Sequence, residues 1–180
     1  MSETAQPTTP TTNQQLQLLG PRLQLLENRY VTGLATAEVV TAQELDVLRA
    51  SPRQWPGDLI VLLDERLAEA TKQANDSFFR YDIRTVEGLA ESSTFEITDC
   101  STLASGLVDV PTRKLTILVA IAADGPEGTS LIRVPAFNKE QDLRPGIAYL
   151  FPAFAVPSFS IPEHATLSTV VLHAHGPSFR

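Results

Sequence analysis

The nine residues K-L-T-I-L-V-A-I-A, numbers 114–122, decide the fold of this chain. Successive side chains of a β-strand point to opposite faces, so Leu115 and Ile121 belong to one face while Thr116 and Ala120 belong to the other. Both faces are largely apolar, which is typical of a strand covered on its two sides. We therefore predict that this strand lies inside a β-sandwich or barrel.

Residues 41–70 contain patterns that predict two helices, and the residues from Phe78 onward predict strands. A capping-box pattern at Thr41 and Glu44 predicts a short helix to about Ala50. From Leu59 to Ala70 apolar residues recur with a period near 3.6, which predicts an amphipathic helix. Five more short apolar runs bounded by turn residues predict strands: 78–83, 93–98, 130–134, 147–151 and 166–175. The expected fold class is α+β, with helices packed on one face of a β core.

Composition and charge narrow the class of protein. The chain has 180 residues, enough for one domain, and its net charge of −7 argues against a nucleic-acid partner. A single cysteine, Cys100, excludes an internal disulfide and is typical of a reducing compartment. No segment has the pattern of a signal peptide or the roughly 20 apolar residues of a membrane span. We expect a cytoplasmic protein with no membrane span.

The N-terminal region has two parts. Residues 1–13 are rich in threonine and proline, which predicts a disordered or docking tail. Residues 14–180 then form a single domain. Two similar leucine-rich phrases, at 16–19 and 23–26, predict a broken helix whose leucines pack on the body of the protein. Three of these leucines are also candidate anchors for a partner: Leu16, Leu18 and Leu19.

All three histidines lie close to the C-terminus. His173 and His175 are two residues apart on a predicted strand, so their side chains face the same side about 7 Å apart and are candidate ligands of one metal. Glu163 and His164 precede them and are further candidates for such a site. The alternative is that these histidines are hydrogen-bonded or exposed side chains without a metal.

Five phrases occur in the order and spacing typical of one enzyme family. They are Leu67-x-x-Ala70 leading to Ala74-Asn75, F-F-R-Y-D-I at 78–83, T-R-K-L-T at 112–116, Y-L-F-P-A-F at 149–154 and H-G-P-x-F-R at 175–180. From the long helix to the C-terminus the chain resembles the prolyl 4-hydroxylase-like branch of the 2-oxoglutarate and iron(II)-dependent oxygenases. The resemblance implies a double-stranded β-helix core, of the jelly-roll or cupin-like kind.

The resemblance also implies where catalytic residues belong. Members of the family hold iron with an H-x-D pair and a distal histidine, and 2-oxoglutarate with a basic residue farther along the chain. No histidine lies in residues 91–113, where the H-x-D pair belongs, although Asp99 or Asp109 could supply its carboxylate. The distal histidine position matches Pro157, and the basic position falls near Leu167. We therefore expect neither cofactor.

We interpret the chain as a catalytically inactive relative of these oxygenases that serves as a binding or structural subunit of a larger assembly. Phe154 and Phe159, in an apolar segment at the mouth of the β-helix, are candidate contacts for a protein partner. The alternative is an active 2-oxoglutarate and iron(II)-dependent hydroxylase with an unorthodox site formed by Asp99, His173 and His175.

Overall fold

The computed structural model describes residues 23–24, 33–51, 54–97, 110–123, 130–134, 136, 138–163 and 165–178, with the backbone alone for residues 23–24, 91 and 93–97. The helices are α1 (Ala42–Ala50) and α2 (Gly57–Ala74). The first five strands are β1 (Leu23–Gln24), β2 (Ala35–Glu38), β3 (Thr85–Val86), β4 (Ser93–Ile97) and β5 (Arg113–Ala123). The other five are β6 (Leu131–Val134), β7 (Lys139–Asp142), β8 (Ile147–Pro152), β9 (Ser158–Ser160) and β10 (Leu167–His175).

The larger sheet of the described chain has seven antiparallel strands in the order β1-β2-β8-β5-β10-β3, with β4 beside β10 along the same edge as β3. Strand β5 lies between β8 and β10, so that Thr116 is opposite Phe151 on one side and His173 on the other. From residue 114 to 121 every side chain of β5 is buried. The prediction of an interior strand over 114–122 is confirmed.

The two faces of the larger sheet are covered by different elements. On one face Ile117 of β5 packs in a core with Leu67 of α2. On the other face Leu118 packs in a second core with Ile132 of β6 and Phe159 of β9. The strands β7-β6-β9 form a separate three-stranded sheet on that side. The described chain is therefore a mixed α and β structure with helices on one face, as predicted.

The helices begin where their sequences indicate. The Thr41 backbone N–H donates to the Glu44 carboxylate at 2.8 Å, and the Glu44 N–H donates to Thr41 Oγ1 at 3.4 Å, which is the predicted capping box. Trp55, in the connection between the helices, donates its ring N–H to the Leu48 carbonyl at 3.2 Å. Neither described helix is long and apolar enough to cross a membrane. The residues that α2 buries are spaced by one, three or four: Leu63, Leu67, Ala70, Thr71 and Ala74.

Two predictions of secondary structure are wrong. Residues 78–83 do not form a strand, because α2 continues as a π-helical turn, Asn75–Phe79, and ends at Arg80 with a left-handed φ of 58°. The Asn75 side-chain amide holds this ending, since it accepts from the Tyr81 N–H and donates to the Tyr81 carbonyl, both at 2.9 Å. The second leucine-rich phrase begins as strand β1 and not as a helix. The other residues of both phrases lie outside the described ranges.

Candidate functional site

A carboxylate joins the two histidines of β10. His173 and His175 face the same side of the strand because strand side chains alternate. Glu87 follows β3, which pairs with this end of β10, and its N–H donates to the His173 carbonyl at 2.9 Å. The pairing of β3 with β10 therefore brings Glu87 to two histidines that are 86 and 88 residues away in the sequence.

Both oxygens of the Glu87 carboxylate accept hydrogen bonds from the histidines. Oε2 lies 2.9 Å from the His173 backbone N and 3.0 Å from its ring Nδ1. Oε1 lies 2.8 Å from Nε2 of His175, whose Nδ1 is 3.3 Å from Thr112 Oγ1. Because a carboxylate only accepts, Nδ1 of His173 and Nε2 of His175 carry protons in this arrangement. When the His175 ring is neutral, its Nδ1 has a lone pair and accepts a hydrogen bond from the Thr112 hydroxyl.

Burial and hydrogen bonding set the charges of this cluster. Burial alone raises the pKa of Glu87, but hydrogen bonds from His175 and His173 outweigh it and bring the pKa below its ordinary value of 4.5. Burial lowers the pKa of His173 below 6.5; the Glu87 carboxylate opposes this change and the Arg113 cation adds to it. At neutral pH the cluster therefore contains a carboxylate and a neutral His173.

The cluster does not have the donor set of a ferrous-iron site. The imidazole nitrogens that face Glu87 are N–H donors, whereas a metal requires their lone pairs. In the part of the chain that the structure describes, no group of three His, Cys, Asp or Glu side chains could hold a metal ion. Glu163 lies beyond the other end of β10, and His164 and Asp99 lie outside the described residues. These described side chains do not fit the iron that the resemblance implies.

Two buried polar atoms beside the cluster have no hydrogen-bond partner among the described residues, namely Nε2 of His173 and Oγ1 of Thr116. The two residues are directly opposite on β10 and β5, so their side chains leave the sheet on the same face. Since Nδ1 of His173 carries the proton, Nε2 presents a lone pair, and a threonine hydroxyl can donate to a lone pair.

Apolar side chains fill the space between the two sheets. Leu167 is fully buried there, and Pro157 is buried just before β9. The Tyr149 hydroxyl donates to the Asp142 carbonyl at 2.6 Å and accepts from the Arg144 N–H at 2.7 Å. Burial raises the pKa of Tyr149 to about 12, so this phenol stays neutral. Pro157 and Leu167, the positions at which the resemblance predicts the distal histidine and the basic residue, are therefore buried and apolar.

One end of the sandwich carries exposed apolar side chains. The start of β5, which follows a turn at Val110, and the loop after β8 meet at this end, because the Ala153 N–H donates to the Lys114 carbonyl at 3.0 Å. Phe154 is 61% exposed, and Val110 and Val156 on the same two segments are also exposed. We call Val110, Phe154 and Val156 the end patch. These three exposed apolar side chains are candidates for contact with another protein.

An open groove of about 590 Å³ lies between the C-terminal half of α2 and the segment 81–86. Its charged side chains are two cations and two anions: Lys72, Arg84, Asp76 and Asp82. Because these charges balance, the groove has no electrostatic preference for an anionic or a cationic ligand.

The residues that were predicted to contact a partner differ in how exposed they are. Phe154 is exposed, as expected, and its binding to a partner stays a prediction. The expectation that Phe159 is accessible is corrected, because Phe159 is only 4% exposed. It is opposite Ile132 in the β6–β9 pair, and both side chains point into the inter-sheet core. The leucine anchors Leu16, Leu18 and Leu19 lie outside the described residues.

Sequence reasoning missed Glu87 and Thr112. Glu87 is 86 residues from His173, and no local pattern separates it from other surface carboxylates. It is identified only by the pairing of β3, a strand of two residues, with the end of β10. The alternation of β10 could predict that the two histidines lie together, but not which group holds them.

Comparison with known proteins gives a fold. No protein-family profile matches the chain, and no curated protein sequence matches it. A prolyl 4-hydroxylase from Pseudomonas putida aligns with a TM-score of 0.55 and 14% identity, over 80% of this chain and 89% of that one. A viral collagen prolyl hydroxylase from Paramecium bursaria Chlorella virus 1, in complex with 2OG, aligns with a TM-score of 0.49 and 12% identity, over 81% of this chain and 97% of that one. A prolyl hydroxylase from Trichoplax adhaerens, in complex with a peptide of the hypoxia inducible factor oxygen degradation domain, aligns with a TM-score of 0.45 and 15% identity. This alignment covers 91% of this chain and 74% of that one. The alignment with the Pseudomonas putida enzyme shows that the chain shares the fold of prolyl 4-hydroxylase-type oxygenases.

Proposed function

We propose that this chain is a non-catalytic protein with a double-stranded β-helix core, and that it acts by binding another protein. From β5 onward the strands alternate between the two sheets. Strands β5, β8 and β10 belong to the larger sheet, and β6, β7 and β9 belong to the smaller one. This alternation supports the double-stranded β-helix, as does the shared fold with a prolyl 4-hydroxylase. A shared fold does not by itself carry a shared activity, so the function depends on the site.

The packing between the sheets is the observation that carries this proposal. Iron and 2-oxoglutarate both need polar ligands, which are lone pairs for the metal and a cation for the distal carboxylate. Pro157 and Leu167 provide neither, and both are buried. Apolar side chains at these positions stabilise the core and leave no buried charge to be compensated. The core is therefore well suited to structural support and poorly suited to oxygenase chemistry.

The Glu87 cluster also supports a structural role. Its carboxylate holds both histidine rings and the backbone of β10 in place. The ring N–H groups that point to Glu87 donate to its carboxylate, so these hydrogen bonds link β10 to the residue that follows β3. A hydrogen-bonded cluster of this kind stabilises the end of the sheet next to the end patch.

The end patch is the proposed contact surface. Large aromatic side chains that protrude from an apolar surface are frequent anchors of protein interfaces. Phe154 has this character, and Val110 and Val156 extend the apolar surface around it. The fitting partner is a protein with an apolar pocket that accepts an aromatic ring. The leucines Leu16, Leu18 and Leu19 stay candidates for a second contact.

A capture experiment with matched variants tests this proposal. The tagged wild-type chain is expected to retain a specific protein from an extract of its native source, and Phe154→Glu is expected to lose it. Val61→Glu is the control, because Val61 is a similarly exposed apolar residue on α2, at 59%. Retention of the same protein by Phe154→Glu, or loss with both variants, would contradict the end patch as the contact.

A further inference from the structure

One groove of the molecule lies between a helix and the edge of a sheet. It is the open groove of about 590 Å³ beside α2, and we call it the edge groove. One wall is the segment 81–86, which ends in β3. The other wall is formed by α2 and the first residues after it, spaced by one or three so that they share a helix face: Ala68, Thr71, Lys72, Asn75 and Asp76.

Two hydrogen-bonded contacts fix how the walls are aligned. The side-chain amide of Asn75 accepts from the Tyr81 N–H and donates to the Tyr81 carbonyl, both at 2.9 Å. We call this contact the closed end of the groove. Nearer the start of α2, the Asp64 carboxylate accepts from the Leu89 N–H at 2.7 Å. From Tyr81 to Leu89 the chain therefore runs antiparallel to the helix.

The charges of the edge groove are sorted along its length. Asp76 and Asp82 each directly follow a residue of the closed end. Lys72 lies three residues back along the helix from that end, and Arg84 lies three residues onward along the segment. Because the walls are antiparallel, both of these steps lead away from the closed end. The groove is neutral as a whole, but two carboxylates at one end are followed by two cations.

The spacing of these charges is similar on the two walls. Lys72 and Asp76 are one helical turn apart, which is a rise of about 6 Å. Asp82 and Arg84 are two residues apart, which is about 7 Å along an extended chain. The ion pair of Asp82 with Arg84 joins side chains that are 66% and 69% exposed. Exposed pairs contribute little, so a ligand with the opposite charges can take the place of this contact.

The strand wall offers backbone hydrogen bonds. Among the described residues β3 pairs with β10 alone and ends the order of the larger sheet. The Glu87 N–H donates to the His173 carbonyl, so Val86 and Ala174 form a non-hydrogen-bonded pair between them. The N–H and C=O groups of a residue in such a pair point away from the partner strand. Those of Val86 therefore point outward from the edge of the sheet.

We propose that the edge groove binds an extended peptide segment of another protein, which adds as a strand to the edge of the larger sheet at β3. The peptide has one basic and one acidic side chain two residues apart, because these lie about 7 Å apart on the same side of a strand. The basic side chain pairs with Asp76 and Asp82, and the acidic one with Lys72 and Arg84. Backbone hydrogen bonds supply affinity and the two charges supply specificity.

The edge groove shares no residue with the end patch, so this proposal does not depend on the proposed function. The two surfaces are distinguished by their chemistry, since the end patch is apolar and the groove is charged. Binding of a short charged peptide therefore tests the groove alone.

Fluorescence anisotropy with a labelled peptide measures this binding. The probe is an octapeptide, S-V-K-V-E-V-S-G, with both ends blocked, and its control has glutamine in place of the lysine and the glutamate. We expect saturable binding of the probe to the full chain and about fivefold or more weaker binding of the control peptide. We also expect Asp76→Lys to weaken binding of the probe about fivefold or more. Glu69→Lys is the matched variant, because Glu69 is an exposed carboxylate of α2 outside the groove, and it is expected to bind as the wild type does.

The outcomes that would overturn the proposal are specific. They are the absence of saturable binding, equal affinity for the two peptides, an unchanged affinity with Asp76→Lys, and an equal loss with Asp76→Lys and Glu69→Lys. Both substituted side chains are exposed, so the fold does not depend on them.

Peptides with one N-methylated amide test strand addition without changing any charge. Successive amides of a strand point to opposite edges, so only alternate ones can bond to β3. The methyl group is placed either on the amide of the lysine or on that of the valine between the two charged residues. We expect one of these peptides to bind about tenfold or more weakly and the other to lose less than about twofold. Equal losses, or no loss with either peptide, would overturn binding as an added strand.

Discussion

Replacing Glu87 by glutamine removes the charge that holds the end of β10 while keeping the size of the side chain. The carboxylate accepts three hydrogen bonds, from the His173 backbone, the His173 ring and the His175 ring. A glutamine keeps one oxygen, and its NH₂ group then faces an N–H donor. Losing a hydrogen bond to a charged group costs about 1.5–3 kcal/mol. We therefore expect Glu87→Gln to lower the free energy of unfolding by about 2 kcal/mol, or Tm by roughly 4–8 °C for a chain of this length.

The pH dependence of this effect has a definite sign. The folded pKa of Glu87 is lowered, so its stabilisation is complete above the unfolded pKa near 4.5 and is lost as the pH falls through the folded value. His173 acts in the same direction. Its folded pKa is below 6.5, so the unfolded state gains a proton first and stability falls as the pH drops below 6.5. We expect wild-type stability to decrease from pH 7 to pH 4, and its difference from Glu87→Gln to shrink below pH 4.5.

Urea unfolding at pH 7 and pH 4 measures both effects. Glu140→Gln is the control, because Glu140 forms an ion pair with Arg133 in which both side chains are largely exposed. Such pairs contribute about 1 kcal/mol or less. If Glu87→Gln and Glu140→Gln have the same effect at pH 7, or if wild-type stability rises from pH 7 to pH 4, the assigned role of the Glu87 cluster is refuted.

Four other substitutions test the packing. We expect Phe159→Ala to lower the free energy of unfolding by about 3–5 kcal/mol, and Phe154→Ala by less than about 0.5 kcal/mol, because the first side chain is buried and the second exposed; equal losses in urea unfolding would contradict this. We expect Tyr149→Phe to cost about 1–3 kcal/mol, because the Asp142 carbonyl and the Arg144 N–H both lose their bond to the hydroxyl; an unchanged urea midpoint would contradict it. We expect Gly146→Ala to destabilise the fold, because φ is +85° and a Cβ would lie 2.5 Å from a neighbouring carbonyl oxygen; an equal or higher Tm would be the contrary result.

Long and regular patterns in the sequence were sufficient for the centre of the fold. The alternation of residues 114–122 identifies a strand with two apolar faces, and the structure places β5 between β8 and β10. The capping box at Thr41 and the period of α2 identify the two helices. In these segments local propensity and tertiary packing favour the same conformation, which is why the sequence is informative there.

The errors occur where a local signal and the tertiary structure disagree. Residues 78–83 have the aromatic composition of a strand, but the side chain of Asn75 pairs with the backbone of Tyr81 and ends α2 with a turn. Phe159 lies between two serines, a pattern that indicates a half-buried strand. That pattern favours burial of the apolar side chain, and the pairing of β9 with β6 places Phe159 in the inter-sheet core, so the prediction that Phe159 is accessible is wrong.

The candidate site was predictable only in part. The spacing of His173 and His175 predicts a shared face, and the structure places them together. Their partner Glu87 depends on the pairing of a two-residue strand with the end of β10. Contacts of this kind depend on the fold and leave no periodic pattern in the sequence.

Iron binding and 2-oxoglutarate turnover test the central claim most directly. Protein purified without oxygen is incubated with ferrous iron and 2-oxoglutarate; bound iron is counted per chain, and succinate is measured after oxygen is admitted. Because Pro157 and Leu167 are buried and offer no lone pair or charge, we expect no stoichiometric iron and no succinate above the protein-free control. One iron per chain together with succinate release would contradict a non-catalytic role.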